Sequence, residues 1–465
     1  MYEEYGICAY NLGTEQQPLL GSYYWLEEAY RLHPDTLTTV VLEVQELTSV
    51  SYDAFYRKAL DPMRFSSVKY RAVKEYTARD EAETKDVISC LFPILSYHER
   101  WKELTEEDFL KAFSEPESYL RGYDYVITRE IEVVREYDDV LPFTGELDPE
   151  AGETELVEES LYYFAKMTEF CEEHGLQLVL VKTPTDTWTS ADHNAVQMLA
   201  DSYGLDYYDF CFSPYADDIE FSIALDIIDN HMNYYGARKL TAYMGNCLVE
   251  YYGNQDVRGK DGYEFLEEEL TAYKRRIISA SLREETDPAE YLSTLMNEEG
   301  FSILITVCDE AANSLTEEQR ETFASLGLTQ LSVLAPQSSY IAVIENGIVE
   351  KEMAGMENLT LSGTLVDGSS YSLNSAGFNA GLYSSCMLNG EEYSECGRGL
   401  NITVYDNQRQ EIVDTTYFDT YEASERAPAD LELRYAEDMA AGKAFEELDE
   451  DEQKLYLYEQ SCETQ

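Results

Sequence analysis

LQLVLVKTP, residues 176–184, is the stretch on which the fold of this chain turns. It is the clearest strand in the sequence, and its neighbours decide what kind of sheet it enters. Upstream, residues 154–173 carry an amphipathic helical pattern stopped by His174 and Gly175, glycine being the residue that ends helices in the left-handed conformation. Downstream, ADHNAVQMLADSYG (191–204) reads as the next helix, LDYYDF (205–210) as an edge-type strand, and HMNYYGARKLTAYMGNCLVEYYG as a closing helix. Further upstream, TTVVLEV (38–44) is a strand whose apolar run is too dense for a sheet with one wet face. Before it come a helical LLGSYYWLEEAYRL (19–32), ended by HPD, and ICAYNL (7–12), which reads as a short buried strand. Such alternation predicts an α/β fold: a doubly wound, mostly parallel sheet with helices on both faces. Binding groups then belong beyond the C-terminal ends of the strands, where the loops 13–18, 45–50, 183–190 and 226–233 can meet.

With 465 residues the chain should hold two or three units. Its 92 acidic and 33 basic side chains give a net charge of −59, a field that opposes nucleic acid and anionic bilayer surfaces. No apolar run is long enough to span a bilayer, and MYEEYGICAY shows no basic segment followed by an apolar one; neither membrane insertion by this chain nor a signal peptide is expected. Nine cysteines are scattered without a CxxC, which excludes a zinc ribbon and argues against a dense disulfide framework. Cys386 and Cys396 flank NGEEY and can bridge in an oxidising compartment, buried thiols being the plainer alternative. The histidines lack HxH or HExxH spacing, so neither a metal site nor a cofactor is expected.

Composition shifts after about residue 250. Two charged helical stretches, 263–280 and 285–297, form a connector (251–298). From FSILITVC (301–308) the pattern becomes short β runs with hairpin turns at Asn346-Gly347, Asp367-Gly368 and Asn389-Gly390. One helix, LTEEQRETFASLG, interrupts them, with Thr316 as its N-cap. This predicts an antiparallel β-rich domain over 299–421, followed by an acidic, partly helical tail over 422–465.

The block DNHMNYYGARKLT (229–241) raises the question of chemistry. A histidine can relay protons in hydrolysis when a carboxylate holds its second nitrogen and a nucleophile stands within reach. His231 has Asp229 and Asp226 nearby, Asn233 placed to cap the next helix, and Gly236 placed for close packing. The competing reading is a capped helix with a surface histidine.

That block resembles the last motif of SGNH (GDSL-like) hydrolases, especially cell-envelope relatives of the DltD type. YNLGTEQQPLLGSYYWLEEAYRLHPDTLTTVVLEV, YHERWKELTEEDF, and LQLVLVKTPTDTW with HNAVQMLADSYGLDYYDF extend the likeness over residues 5–250. The resemblance implies a flavodoxin-like three-layer domain (1–250) with His231 as general base and Asn233 and Gly236 in the pattern after it. The family's acid position falls on Ile228, leaving Asp229 or Asp226 as alternatives, while Gly13 matches an oxyanion-hole glycine and Gln45 stands where an Asn is usual. The nucleophilic serine block would precede Tyr5, so the expectation is an N-terminally truncated hydrolase, lacking its first strand and inactive as given.

In the second half, NSAGFNAGLYSSCMLNGEEYSECGRGLNITVYDNQRQEIVDTTYFDTY (374–421) resembles the lectin-like domain of interleukin-like, FAM3-type proteins. VCDEAANSLTEEQRETFASLG resembles another piece of that fold but stands before GRGLN rather than after it, which implies a circularly permuted order. Arg398, Asp309 and Asp419 are candidate polar contacts, and Phe378 and Tyr383 a candidate stacking face for sugar, against turn chemistry, ion pairing and core packing as alternatives. NLT at 358 and NIT at 401 match the short N-glycosylation pattern. The leading expectation is an esterase or O-acyltransferase acting on cell-wall or capsular glycan, located in the cell envelope or outside the cell. Its rival is a non-enzymatic glycan-binding or scaffolding protein.

Overall fold

The structure, a computed structural model, describes residues 1–80, 82–93, 120–122, 125–127, 147–185, 187–228, 231–421, 426 and 431–463. YHERWKELTEEDF, with His98 and Trp101, and the site candidate Asp229 lie outside the described residues. The chain forms two compact units, residues 1–272 with 458–465, and residues 273–457.

In the first unit β1 (Thr39–Glu43), β2 (Gln177–Lys182) and β3 (Tyr207–Asp209) run parallel in that order, Val41 opposite Val179 and Leu180 opposite Tyr207. Successive side chains of a strand point to opposite faces, so β2 can be buried along its length only if both faces are covered. They are. Leu178 and Leu180 pack with Leu20 and Tyr24 of the helix Leu19–Leu32 and with Phe164 and Met167 of the helix Glu158–His174. Val179 and Val181 pack with Met244 and Leu240 of the helix Tyr234–Glu250. Local signals set the helix ends: Gly175 caps one at φ 68°, as predicted, and Thr189 opens the helix Ser190–Tyr203 with a capping box to Asp192.

Residues 7–12 do not form the expected strand. Ile7 is buried, but Tyr10 and Leu12 are exposed, and among the described residues the segment joins no ladder. Its backbone is instead held at single points, Asn11 N–H donating to the Arg121 carbonyl and Val257 N–H to that of Gly6. An apolar run reports burial; a strand also needs a paired neighbour.

The second unit is built on β6 (Phe301–Asp309), buried at every position up to Cys308. It pairs antiparallel with β7 (Ser339–Glu345) and β13 (Gly399–Asp406), and β14 (Glu411–Phe418) pairs β13. β7 turns into β8 (Ile348–Gly355). β9 (Leu359–Thr364), β10 (Ser370–Gly377), β11 (Tyr383–Leu388) and β12 (Glu391–Glu392) form an antiparallel run. The sheet is mixed rather than purely antiparallel, because β10 joins β6 in parallel at Ala376–Cys308 and Gly377–Asp309. Asn346-Gly347 and Asn389-Gly390 adopt positive φ at both residues, the conformation that Asn-Gly favours in tight hairpins. Thr316 caps its helix through a capping box with Gln319.

One face of β6 (Ile303, Ile305, Val307) meets Leu282, Leu292, Leu295 and Phe323, so the helices Ile278–Glu284 and Pro288–Met296 contribute to this core. On the other face Leu304 meets Leu373, Cys386 and Tyr405. Asn401, within the NIT pattern, is 2% exposed, whereas Asn358 is exposed. Gly399 opens β13 at φ 110°, and a Cβ there would stand 1.9 Å from the Phe418 carbonyl oxygen. Gly399→Ala is expected to destabilise this unit by about 2–4 kcal/mol, read as a lowered urea midpoint.

Candidate functional site

The structure brings Asp226, His231, Asn233 and Gly236 into one turn at the start of the closing helix. Asn233 is its organiser: its Oδ1 accepts the backbone N–H groups of Tyr235 and Gly236, and its Nδ2 donates to the carbonyls of Leu225 and Ile227. Its own N–H donates to the Asp226 carbonyl. Gly236 is required here because a Cβ would lie 2.3 Å from that same carbonyl oxygen. His231 is exposed, opposite Ile228 in the short pair β4 (Ile227–Ile228) and β5 (His231–Met232). Asp226 is fully buried, its Oδ2 accepting from Ser222 N–H at 2.7 Å and from Lys239 Nζ at 3.0 Å. Lys239 turns inward to neutralise this carboxylate, because a buried charge needs a partner.

Gly13, Gln45 and Arg398 lie elsewhere. The Gly13 N–H, the expected oxyanion donor, is taken by Asn11 Oδ1 at 2.9 Å. Gln45 follows β1, its N–H donating to Glu43 Oε2 and its buried Oε1 having no hydrogen-bond partner among the described residues. The loops 13–18 and 45–50 do approach, Pro18, Ser49 and Val50 lining a small recess with Tyr56 and Tyr163 that has no room for a small-molecule ligand.

At the C-terminal ends of the parallel strands the structure assembles a network that the sequence did not disclose. Asp209, 1% exposed, accepts from Trp188 Nε1 (2.8 Å), Tyr207 Oη (2.9 Å) and the Cys211 N–H (2.9 Å), and meets His193 Nδ1 at 2.7 Å. Beside it the buried Lys182 donates to Glu43 Oε1 and to the Thr183 carbonyl, both at 2.8 Å, with its ammonium over the Trp188 ring. Burial with the Asp209 carboxylate alongside pushes the Tyr207 phenol well above its ordinary value, and burial does the same to the Cys211 thiol. A protonated, buried thiol is a poor nucleophile, and Cys211 Sγ lies against the Thr183 carbonyl. His193 and Asp209 therefore form a tautomer-fixing pair within a strut that ties the helix Ser190–Tyr203 to β3. Asp at a strand end and His in the following or preceding helix is the signal that could have found them; nothing local shows that they meet. Among the described residues no group of three His, Cys, Asp or Glu side chains is placed to share a metal ion.

One end of the β-rich sheet collects the residues singled out for sugar contact. Phe378 N–H donates to the Asp309 carbonyl, Asn379 Nδ2 to Gln337 Oε1, and the buried Glu310 accepts the N–H groups of Ala312 and Gln337. Phe378 and Tyr383 flank the β10–β11 turn and are 53% and 48% exposed. Arg398 forms a two-pronged ion pair with Asp419 (closest approach 2.6 Å) and stacks over Tyr421 at 4.6 Å. Asp309, Gln337, Leu382 and Cys396, all at this end, hold φ between 53° and 66°. Left-handed backbone at such residues is costly and tends to gather where loops serve a site.

Asp209→Ala, which strands four donors, is expected to destabilise the first unit by about 3–5 kcal/mol in urea unfolding; Asn233→Ala should cost about 2 kcal/mol through the lost helix cap and two unpaired carbonyls. No helix among the described residues is long and apolar enough to cross a membrane. Neither a curated protein nor a solved structure matches the chain. A family model described as Interleukin-like EMT inducer matches residues 286–348, from the helix Pro288–Met296 through β6 and β7 to the start of β8, wholly within the second unit.

Proposed function

We propose that this chain is a glycan-binding protein of the cell envelope or extracellular space, and that the β-rich unit is its binding module. The observation that carries the reading is the half-exposed pair Phe378 and Tyr383 beside the polar loop groups of Asp309, Asn379 and Gln337. A sugar ring offers an apolar face and a rim of hydroxyls, so aromatic side chains with adjacent hydrogen-bonding groups are the complement it needs. The interleukin-like match to residues 286–348 supports a lectin-like unit. Arg398 serves this site as a braced cation, its fork held by Asp419. The polysaccharide is neutral or cation-bridged, because a chain of net charge −59 repels an anionic polymer.

A second reading concerns the first unit. The Asn233-centred turn that leaves His231 exposed supports an SGNH-type, DltD-like acyl-transfer domain acting on the same glycan. His231 would be the base, with Asp229 or Asp226 as its orienting acid.

Two measurements separate the readings. In calorimetric titration with purified cell-wall polysaccharide, the full chain binds, and the Phe378→Ala/Tyr383→Ala variant binds about tenfold more weakly, roughly 1.4 kcal/mol, with an unchanged melting temperature. Equal binding by both proteins would remove these aromatics from the site. In p-nitrophenyl acetate hydrolysis, the full chain and His231→Ala give the same background rate; turnover abolished by the substitution would assign acyl-transfer chemistry to the first unit.

A further inference from the structure

Of the eight described cysteines, Cys308 and Cys396 are the two whose sulfurs meet, 3.8 Å apart. Cys308 ends the buried part of β6, opposite Gly399 of β13 on one side and Ala376 of β10 on the other. Cys396 lies in the loop before β13, exposed, at φ 53°, its sulfur also accepting the Ser384 N–H at 3.2 Å. Cys386, the partner suggested by hairpin spacing, is instead 2% exposed in the core formed with Leu304, Leu373 and Tyr405.

We propose that Cys308 and Cys396 are an oxidation site, forming a disulfide that fastens the loop carrying Arg398 to the end of the central strand β6. The inference does not depend on glycan binding. The pieces needed are present: one sulfur open to a reagent, a second sulfur behind it, and a gap that small side-chain rotations close to bonding distance. The oxidant is a low-molecular-weight disulfide such as glutathione disulfide. The Cys396 thiolate attacks one sulfur of the reagent, a Cys–S–S–R bond forms, and one RS⁻ leaves. Cys308 then gives up its proton and attacks the Cys396 sulfur, forming the protein disulfide and expelling the second RS⁻. The two departing thiolates take up the two protons released; the protein loses two electrons and the reagent gains them. Burial, with the Cys396 sulfur beside it, pushes the Cys308 thiol up, so disulfide closure accelerates with rising pH.

The test is peptide mapping of the folded full chain after equilibration with glutathione disulfide, free thiols being alkylated first. The expected product is one cross-linked peptide joining Cys308 to Cys396, retained in Cys386→Ser and lost in Cys396→Ser, with a higher melting temperature that dithiothreitol reverses. A Cys386–Cys396 link would overturn the proposal, as would Cys396 recovered only as free thiol or as glutathione adduct while Cys308 stays reduced. The wild-type map decides this even if a variant fails to fold.

Discussion

The β-rich unit is arranged around a strand that meets no water along its length. Phe301 to Cys308 is buried on both faces and hydrogen-bonded on both edges, by β7 and β13. Burying each large aliphatic there stabilises by about 1.5–3 kcal/mol, but the same burial requires every backbone group to find a partner. The helices on one face and the folded-over run β9–β11 on the other exist to cover it. Where β6 nears its end, at Cys308 and Asp309, the partner on one edge changes from antiparallel β7 to parallel β10 while β13 keeps the other edge as far as Cys308, and the loops that follow gather at that end. The proposed sugar face and the cysteine pair both sit at that junction, a consequence of one strand ending there.

The first unit meets the same demand differently. Among the described residues its parallel sheet has three strands, so its polar strand ends lie close to the core and must be satisfied internally. Asp209 and Lys182 do this, each with several partners in a confined space, where paired charges hold firmly and an unpaired one would be very unfavourable. A network so fully engaged is a brace rather than a reaction centre. The turn around His231 is of another kind: Asn233 and Asp226 stiffen it from behind, and the imidazole is left at the surface.

Charge limits what either unit can meet. A net charge of −59 disfavours polyanions at long range, and salt weakens that effect beyond about 8–10 Å. Recognition by aromatic faces and hydrogen bonds acts at contact and is less sensitive to that field, which is the reason for proposing a neutral polysaccharide.

Much of the fold was legible because its signals are local. Alternation of strand and helix, Gly175 at a helix end, the Thr316 cap and the Asn-Gly turns each depend on a few adjacent residues, and each stands where the sequence puts it. What the chain alone could not decide was partnership across long separations. The apolar run at 7–12 signals burial but not a pairing partner, and among the described residues it forms no strand. That Lys239 meets the buried Asp226 cannot be read from its place on the helix. The meeting of His193 with Asp209, the parallel contact between β6 and β10, and the choice of Cys308 over Cys386 for Cys396 follow from how faces and strand ends pack. Hydrophobic periodicity says which side of an element is inside; which other element it finds there is fixed by the packing of the whole.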